Sequence, residues 1–129
     1  MKLLLDTHVL VWWTSNADLL SPKAYELLMD YNNTLLLSFA SVWEIQIKLQ
    51  MGKIKLNLPI KDLIANQQEV NKLELLPIEL KHIYSLNNLP KSHGDCFNRM
   101  IGSQAIVENI PIVSIDNAFD LYPVKRIWS

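Results

Sequence analysis

Four short, nearly continuous apolar runs punctuate the chain, at residues 3–5, 35–37, 73–76 and 110–115, each bounded by polar or turn residues. Runs of that length without polar alternation predict strands buried on both faces of a parallel sheet. Between them the spacing turns helical. Ser21 and Pro22 supply an N-cap and a first-turn proline ahead of Ala24, Leu27 and Leu28. Ser38 or Ser41 can cap a helix carrying Val42, Ile45 and Leu49, and Gly52 stands where a left-handed C-terminal residue is expected. Three further helices are predicted over 60–70, 80–86 and 97–107, the last presenting Ile101, Ala105 and Ile106. Residues 53–59 are the most loop-like stretch, long enough for a connection and too short for a domain linker. Strands alternating with helices imply an α/β fold, a doubly wound parallel sheet flanked by helices, with ligands expected at the carboxyl ends of the strands.

Composition narrows the picture. At 129 residues the chain has the length of a single domain, expected to run over 1–129. Half its residues are hydrophobic and 19% are charged, which excludes a disordered or low-complexity scaffold. The single cysteine, Cys96, cannot form an internal disulfide, so a reducing compartment is expected, and the chain reads as cytoplasmic. Three leucines before Asp6 are too few for a signal peptide's apolar core or a membrane span. Thirteen acidic residues against twelve basic ones leave a net charge of −1, so no global basic field attracts nucleic acid. A nucleic-acid partner would need a local patch or a metal. Lys48, Lys53, Lys55, Lys91 and Arg99 flank the acidic positions discussed next and are candidates for a basic rim.

Two acids follow apolar runs directly: Asp6 after 3–5 and Asp116 after 111–115. Glu44 lies near the start of the segment predicted to be the second helix. All three are expected at the same edge of the sheet. Carboxylates gathered within about 4 Å repel by roughly 4 kcal/mol per pair at an effective dielectric near 20, so such a cluster calls for protonation or a cation. Oxygen ligands favour Mg²⁺ or Mn²⁺, and His8, His82 and His93 lack a spacing that suggests zinc. Each acid also has a purely structural reading. Asp6 can cap a helix beginning at Thr7, Asp116 can cap the turn at 117–119, and Glu44 can pair with Lys48 four residues on at a surface. Phe39, Trp12, Trp13 and Trp43 read as core or partner surface in preference to base-stacking platforms.

Longer motifs add a resemblance. The opening Leu4-Leu5-Asp6-Thr7-His8-Val9-Leu10-Val11-Trp12-Trp13, then Ser38-Phe39-Ala40-Ser41-Val42-Trp43-Glu44-Ile45 with Lys48 and Gly52-Lys53-Ile54, resembles PIN-domain ribonucleases, specifically VapC-type toxins of toxin–antitoxin pairs. It continues through Leu76-Pro77-Ile78, His93-Gly94-Asp95-Cys96-Phe97-Asn98-Arg99, Gln104-Ala105 and Val113-Ser114-Ile115-Asp116-Asn117-Ala118-Phe119.

The resemblance implies a sheet edge that gathers four acids around one or two Mg²⁺ or Mn²⁺ ions for RNA phosphodiester cleavage, a cognate antitoxin, and a homodimer. Asp6, Glu44 and Asp116 fall on three of those four positions. The fourth, the second Asp of an H-R-D-P-F-D-R pattern, is Asn98 here; Gly94 replaces the pattern's Arg and Cys96 its Pro. Asp95, three residues before Asn98, matches the pattern's first Asp and is either a compensating ligand or a helix N-cap. Thr7, Lys48, Arg99 and Ser114 are candidates for contacts to substrate or to metal-bound water.

Three origins of Asn98 remain open from sequence: an active enzyme with altered metal binding, a weakened toxin, or a substitution introduced to obtain a toxic protein. Two rival functions also stand. One is a non-catalytic module that keeps the fold and the partner surface. The other is a phosphotransfer α/β protein, although the D-x-D of an aspartate-nucleophile phosphatase is absent, His8 standing two residues after Asp6.

Overall fold

The computed structural model describes residues 1–90 and 95–129. Five strands, β1 (Lys2–Leu5), β2 (Thr34–Ser38), β3 (Glu74–Leu76), β4 (Ile112–Val113) and β5 (Arg126–Ile127), form one parallel sheet in the order β3-β2-β1-β4-β5. Among the described residues six helices surround it: α1 (Thr7–Ser15), α2 (Pro22–Met29), α3 (Phe39–Gln50), α4 (Ile60–Val70), α5 (Leu80–Ser85) and α6 (Cys96–Glu108). Tighter 3-10 turns occupy Ala17–Leu19, Leu86–Asn88 and Asn117–Leu121. The expected α/β architecture is therefore present.

Strand alternation explains why the runs 3–5 and 35–37 carry no polar positions. Leu3, Leu5, Leu35, Leu37 and Val113 enter one core with Val9 and Leu10 of α1, Ala24 and Leu28 of α2, Ile45 of α3 and Ile64 of α4. Leu4, Leu36 and Ile112 enter a second with Ala40, Ile101, Ala105 and Phe119. Each such side chain contributes about 1.5–3 kcal/mol on full burial, so both faces of the sheet must be covered. Register keeps this arrangement: Leu3, Leu4 and Leu5 stand opposite Leu35, Leu36 and Leu37.

Several boundaries differ from the sequence expectations. The run 110–115 pairs only at Ile112–Val113, because Pro111 has no N–H to give a ladder; its carbonyl instead accepts from Leu4 N at 2.9 Å. Helix α5 ends at Ser85 and tightens into a 3-10 turn. Helix α1 was expected only as far as its cap. The two-residue strand β5 carries too short a pattern to predict. Of the two candidate caps of α3, Ser38 takes the role, its hydroxyl accepting from Ala40 N at 2.9 Å, while Ser41 is buried one turn inside. Gly52 adopts the expected left-handed conformation at φ 70°.

The topology places a crevice. From β1 the chain builds outward through β2 and β3, then crosses back to place β4 on the opposite side of β1. Loops leaving β1 and β4 diverge there, at the sheet's carboxyl edge.

Candidate functional site

Asp6 closes β1 with extended backbone and caps α1, its Oδ1 accepting from Thr7 N at 2.7 Å. Its Oδ2 accepts from the Ser114 hydroxyl at 2.7 Å. The same Ser114 oxygen accepts from Asp116 N at 2.9 Å, so one hydroxyl ties together the ends of the two central strands. Asp116 caps the turn after β4, Oδ1 receiving Ala118 N at 2.9 Å.

Glu44 projects from the second turn of α3 and is only 3% exposed. Its Oε1 lies 2.6 Å from the Thr7 hydroxyl and its Oε2 2.7 Å from Lys48 Nζ. Thr7 Oγ1 is also 3.0 Å from Ser41 Oγ. A hydroxyl has one proton to give, so with Glu44 ionised Thr7 donates to the carboxylate and Ser41 donates to Thr7. Asn98, in the first turn of α6, is buried and donates from Nδ2 to Asp116 Oδ2 at 2.9 Å. Asp95 is the exposed N-cap of α6, accepting from Phe97 N and Asn98 N at 2.9 and 3.2 Å.

Asp6, Glu44, Asp95, Asn98 and Asp116 line one cleft of about 370 Å³, together with Lys48. His8, Trp12 and Ile115 complete its wall, three positions outside the candidates that the sequence marks. A signal existed for two of them. His8 and Trp12 stand four residues apart on the helix that Asp6 caps, which puts both on one face, with rings 5.7 Å apart.

Thr7 and Ser114 are buried behind the acids, where they orient carboxylates. Arg99 is not among the cleft residues: its guanidinium bonds the carbonyls of Pro90 and Leu86 at 2.5 and 3.5 Å. Lys53 and Lys55 do not line the cleft either. Lys91, His93 and Gly94 lie outside the described residues. The structural readings of Asp6, Asp95 and Asp116 as caps hold alongside the shared cleft, but the Glu44–Lys48 pair is not the surface arrangement considered above. Its carboxylate side is 4% exposed and its ammonium side 29%.

Burial pushes the Asp6 carboxyl above its usual range, and the Glu44 charge adds to the rise. The Ser114 and Thr7 hydrogen bonds and the proximity of His8 pull the other way without overcoming it. An ionised Asp6 is therefore costly, and a cation would relieve that cost. Among the described residues no three His, Cys, Asp or Glu side chains form a ready-made cage. Both oxygens of Asp6, Glu44 and Asp116 accept from protein donors, and each keeps a further lone pair. The donor chemistry fits a hard cation: three carboxylates and an Asn amide carbonyl, with no thiolate at the cleft.

A second, larger groove of about 730 Å³ lies on the other flank of α3, lined by Phe39, Val42, Trp43, Ile60, Ile64 and Leu75 among others. Phe39 and Trp43 are 45% and 58% exposed there, whereas Trp12 and Trp13 pack partly into the core. Any apolar partner surface on this side thus belongs to α3 more than to α1.

Residues 3–125 match the family model described as PIN domain. The chain belongs to the PIN domain family. Its fold is similar to that of VapBC2 from Rickettsia felis, solved bound to a DNA fragment from the promoter, at 20% identity and TM-score 0.76 with all of both chains covered. FitAcB from Neisseria gonorrhoeae aligns at 16% identity and TM-score 0.68, covering 97% of this chain and 96% of that one. VapBC-1 from nontypeable Haemophilus influenzae aligns at 16% and 0.66, covering 98% and 97%. No curated protein matches the sequence. These likenesses confirm the PIN fold at low identity. Among the described residues, no helix of this PIN domain is long and apolar enough to cross a membrane.

Proposed function

We propose that this PIN domain is a VapC-type toxin, a metal-dependent endoribonuclease whose turnover is curtailed by Asn98. The observation that carries this reading is the convergence of Asp6, Glu44, Asp116 and Asn98 on one cleft at the switch point of the sheet. A divalent cation held in this cleft would supply an acidified water and neutralise charge at the phosphate. The chain's own residues prepare the place. Ser114 and Thr7 fix the Asp6 and Glu44 carboxylates, and Lys48 adds a positive charge beside a phosphate path that the overall charge of −1 does not favour. Asn98 keeps the shape of a carboxylate but carries no charge, and its Nδ2 already occupies Asp116 Oδ2.

The same hydrogen bond favours a second reading, a non-catalytic PIN module that retains only its partner surface. One paired assay separates the two. RNA cleavage is measured at millimolar Mg²⁺ and Mn²⁺ for the protein as it stands and for Asn98→Asp. Weak cleavage that rises in Asn98→Asp, and is abolished by Asp6→Asn in that background, supports the toxin reading. An inert Asn98→Asp leaves the binding module. Robust cleavage by the unmodified protein that Asp95→Asn abolishes would assign the fourth ligand to Asp95.

The relatives above were solved as toxin–antitoxin pairs, two from VapBC systems. We extend that partnership to this chain, with an antitoxin segment bearing apolar side chains seated against Phe39, Val42 and Trp43 in the groove beside the cleft. The toxin is expected to self-associate as a homodimer as well. Co-purification with a neighbour-encoded small protein tests the first, and light scattering at tens of micromolar tests the second. The same proposal places the protein in the cytoplasm, where its RNA substrate is found.

A further inference from the structure

Among the described residues Lys48 is the one lysine or arginine at the cleft with a direct contact to an inner acid: Nζ sits 2.7 Å from Glu44 Oε2, and the carboxylate is almost fully enclosed. We propose that Lys48 is a resident counter-ion that withholds Glu44 from metal and limits the cleft to a single divalent cation, with Asp6 and Asp116 as its carboxylate ligands. The inference rests on the metal-site reading above.

Charge counting leads to it. Asp6, Glu44 and Asp116 bring three negative charges and Lys48 returns one positive charge, leaving two, the charge of one divalent ion. Asp95 stands outside this count because, unlike Asp6 and Asp116, it is exposed to solvent, which screens its charge, besides having its Oδ1 turned onto the amides that open α6. Two divalent ions repel four times as strongly as two unit charges at equal distance, so a two-ion site needs more anionic ligand than remains here.

Geometry reinforces the count. Glu44 accepts from the Thr7 hydroxyl and from the Lys48 ammonium, whereas Asp6 and Asp116 accept only from neutral donors, the Thr7 and Ala118 amides, the Ser114 hydroxyl and the Asn98 side chain, so charge is compensated at Glu44 and left for a cation at the two aspartates. The pair also lies within one helix at i,i+4, so Lys48 can hold Glu44 without any rearrangement of the fold.

Mn²⁺ titration of the full chain, followed by electron paramagnetic resonance of the free ion, tests the proposal with no reference to activity. The expected result is one ion per chain for the unmodified protein and for K48R, which preserves the charge. K48M should bind the first ion at least tenfold more tightly and show a second. K48Q serves as the alternative neutral variant should K48M fail to melt cooperatively. Two ions bound by the unmodified protein, or K48M and K48Q indistinguishable from it, would overturn the inference and leave the metal site itself intact. No Mn²⁺ bound by any of these proteins would defeat the metal-site reading, and this inference with it.

Discussion

At the carboxyl edge of the sheet two buried carboxylates, Asp6 and Glu44, and the half-buried Asp116 face a common cleft together with Lys48; between α5 and α6 another buried polar group, the imidazole of His82, is held between donors and acceptors of its own. His82 Nδ1 accepts from Glu79 N at 3.0 Å, so its Nε2 carries the proton and donates to Glu108 Oε2 at 2.9 Å. Lys81 Nζ lies 3.2 Å from the same oxygen, and the Ser103 hydroxyl donates to the His82 carbonyl at 2.6 Å. Around the imidazole donors meet acceptors and Lys81 meets Glu108, with the Oε1 of the neighbouring Gln104 left over as an unpaired acceptor. The acid cleft instead holds acceptors in excess, steadied by hydroxyls and backbone amides. A buried network whose charges cancel fastens two helices together, whereas one left with surplus charge is a place for something else to bind.

The largest expected effect lies at the cleft. Asn98→Asp restores the missing charge and should raise metal affinity about a hundredfold, some 3 kcal/mol, with RNA cleavage rising in parallel. Calorimetric Mn²⁺ binding and a cleavage assay measure the two separately. Equal affinity in both proteins would mean that surplus charge does not define this site.

The opposite intervention belongs at the matched network. His82→Ala removes a fully buried ring, strands the Glu79 amide and leaves Glu108 with Lys81 as its remaining partner, and should cost about 3 kcal/mol of stability. Thermal melts would show the loss, while Mn²⁺ affinity stays unchanged if the two networks are independent. Coupled losses would join them into one unit.

Much of this was legible in the chain and some was not, for identifiable reasons. The strand cores at 3–5 and 35–37 announce themselves because both faces are covered, so no polar residue interrupts them. Asp6, Glu44 and Asp116 could be placed at one edge because parallel strands all end on the same side, whereas Asp95 and Asn98 were pointed to only by the family resemblance. What the pattern could not reveal is where side chains go once there. Arg99, next to Asn98 in sequence, turns to the Pro90 and Leu86 carbonyls, and His8 and Trp12 turn toward the acids. Nor does β5 show, since two residues of pairing, Arg126 and Ile127 beside Ile112 and Val113, leave no periodicity. The His82 network is invisible too, because Glu79, His82, Ser103 and Glu108 come together only through the packing of α6 on α5.

A smaller effect is expected from Gly102→Ala, between the two networks. A methyl group at Gly102 would come within 2.6 Å of the Tyr122 ring, which lies at the end of the turn that Asp116 caps. Either the ring or α6 must shift, at about 1–3 kcal/mol. A displaced turn would loosen the 2.9 Å contact between Asp116 and Asn98, so Mn²⁺ affinity should change as well as the melting temperature. An effect on stability alone would show that the acid edge is insulated from the packing beneath it.

The smallest effects are those of pH, and the two networks should give them opposite signs. The His82 hydrogen bond, with Lys81 beside it, holds the Glu108 carboxyl below its ordinary value of 4.5, so the ionised form adds stability that is complete above that value and is lost as pH falls through the depressed one. Glu108→Gln should therefore melt lower than the parent near neutrality, with the gap closing in acid. Burial raises the Asp6 carboxyl above its ordinary 3.8, so its ionised form costs stability at neutral pH and the cost disappears as pH falls through the raised value. Asp6→Asn keeps an acceptor for the cap of α1 and removes the charge, so without metal it should melt higher than the parent near neutrality, again with a gap that closes in acid. Melts of the three proteins between neutrality and the acid limit, in chelator, give both gaps directly. If Asp6→Asn melts lower at every pH, the carboxylate is stabilised by its hydrogen bonds more than burial penalises it, and the acid edge becomes a matched network like the one around His82.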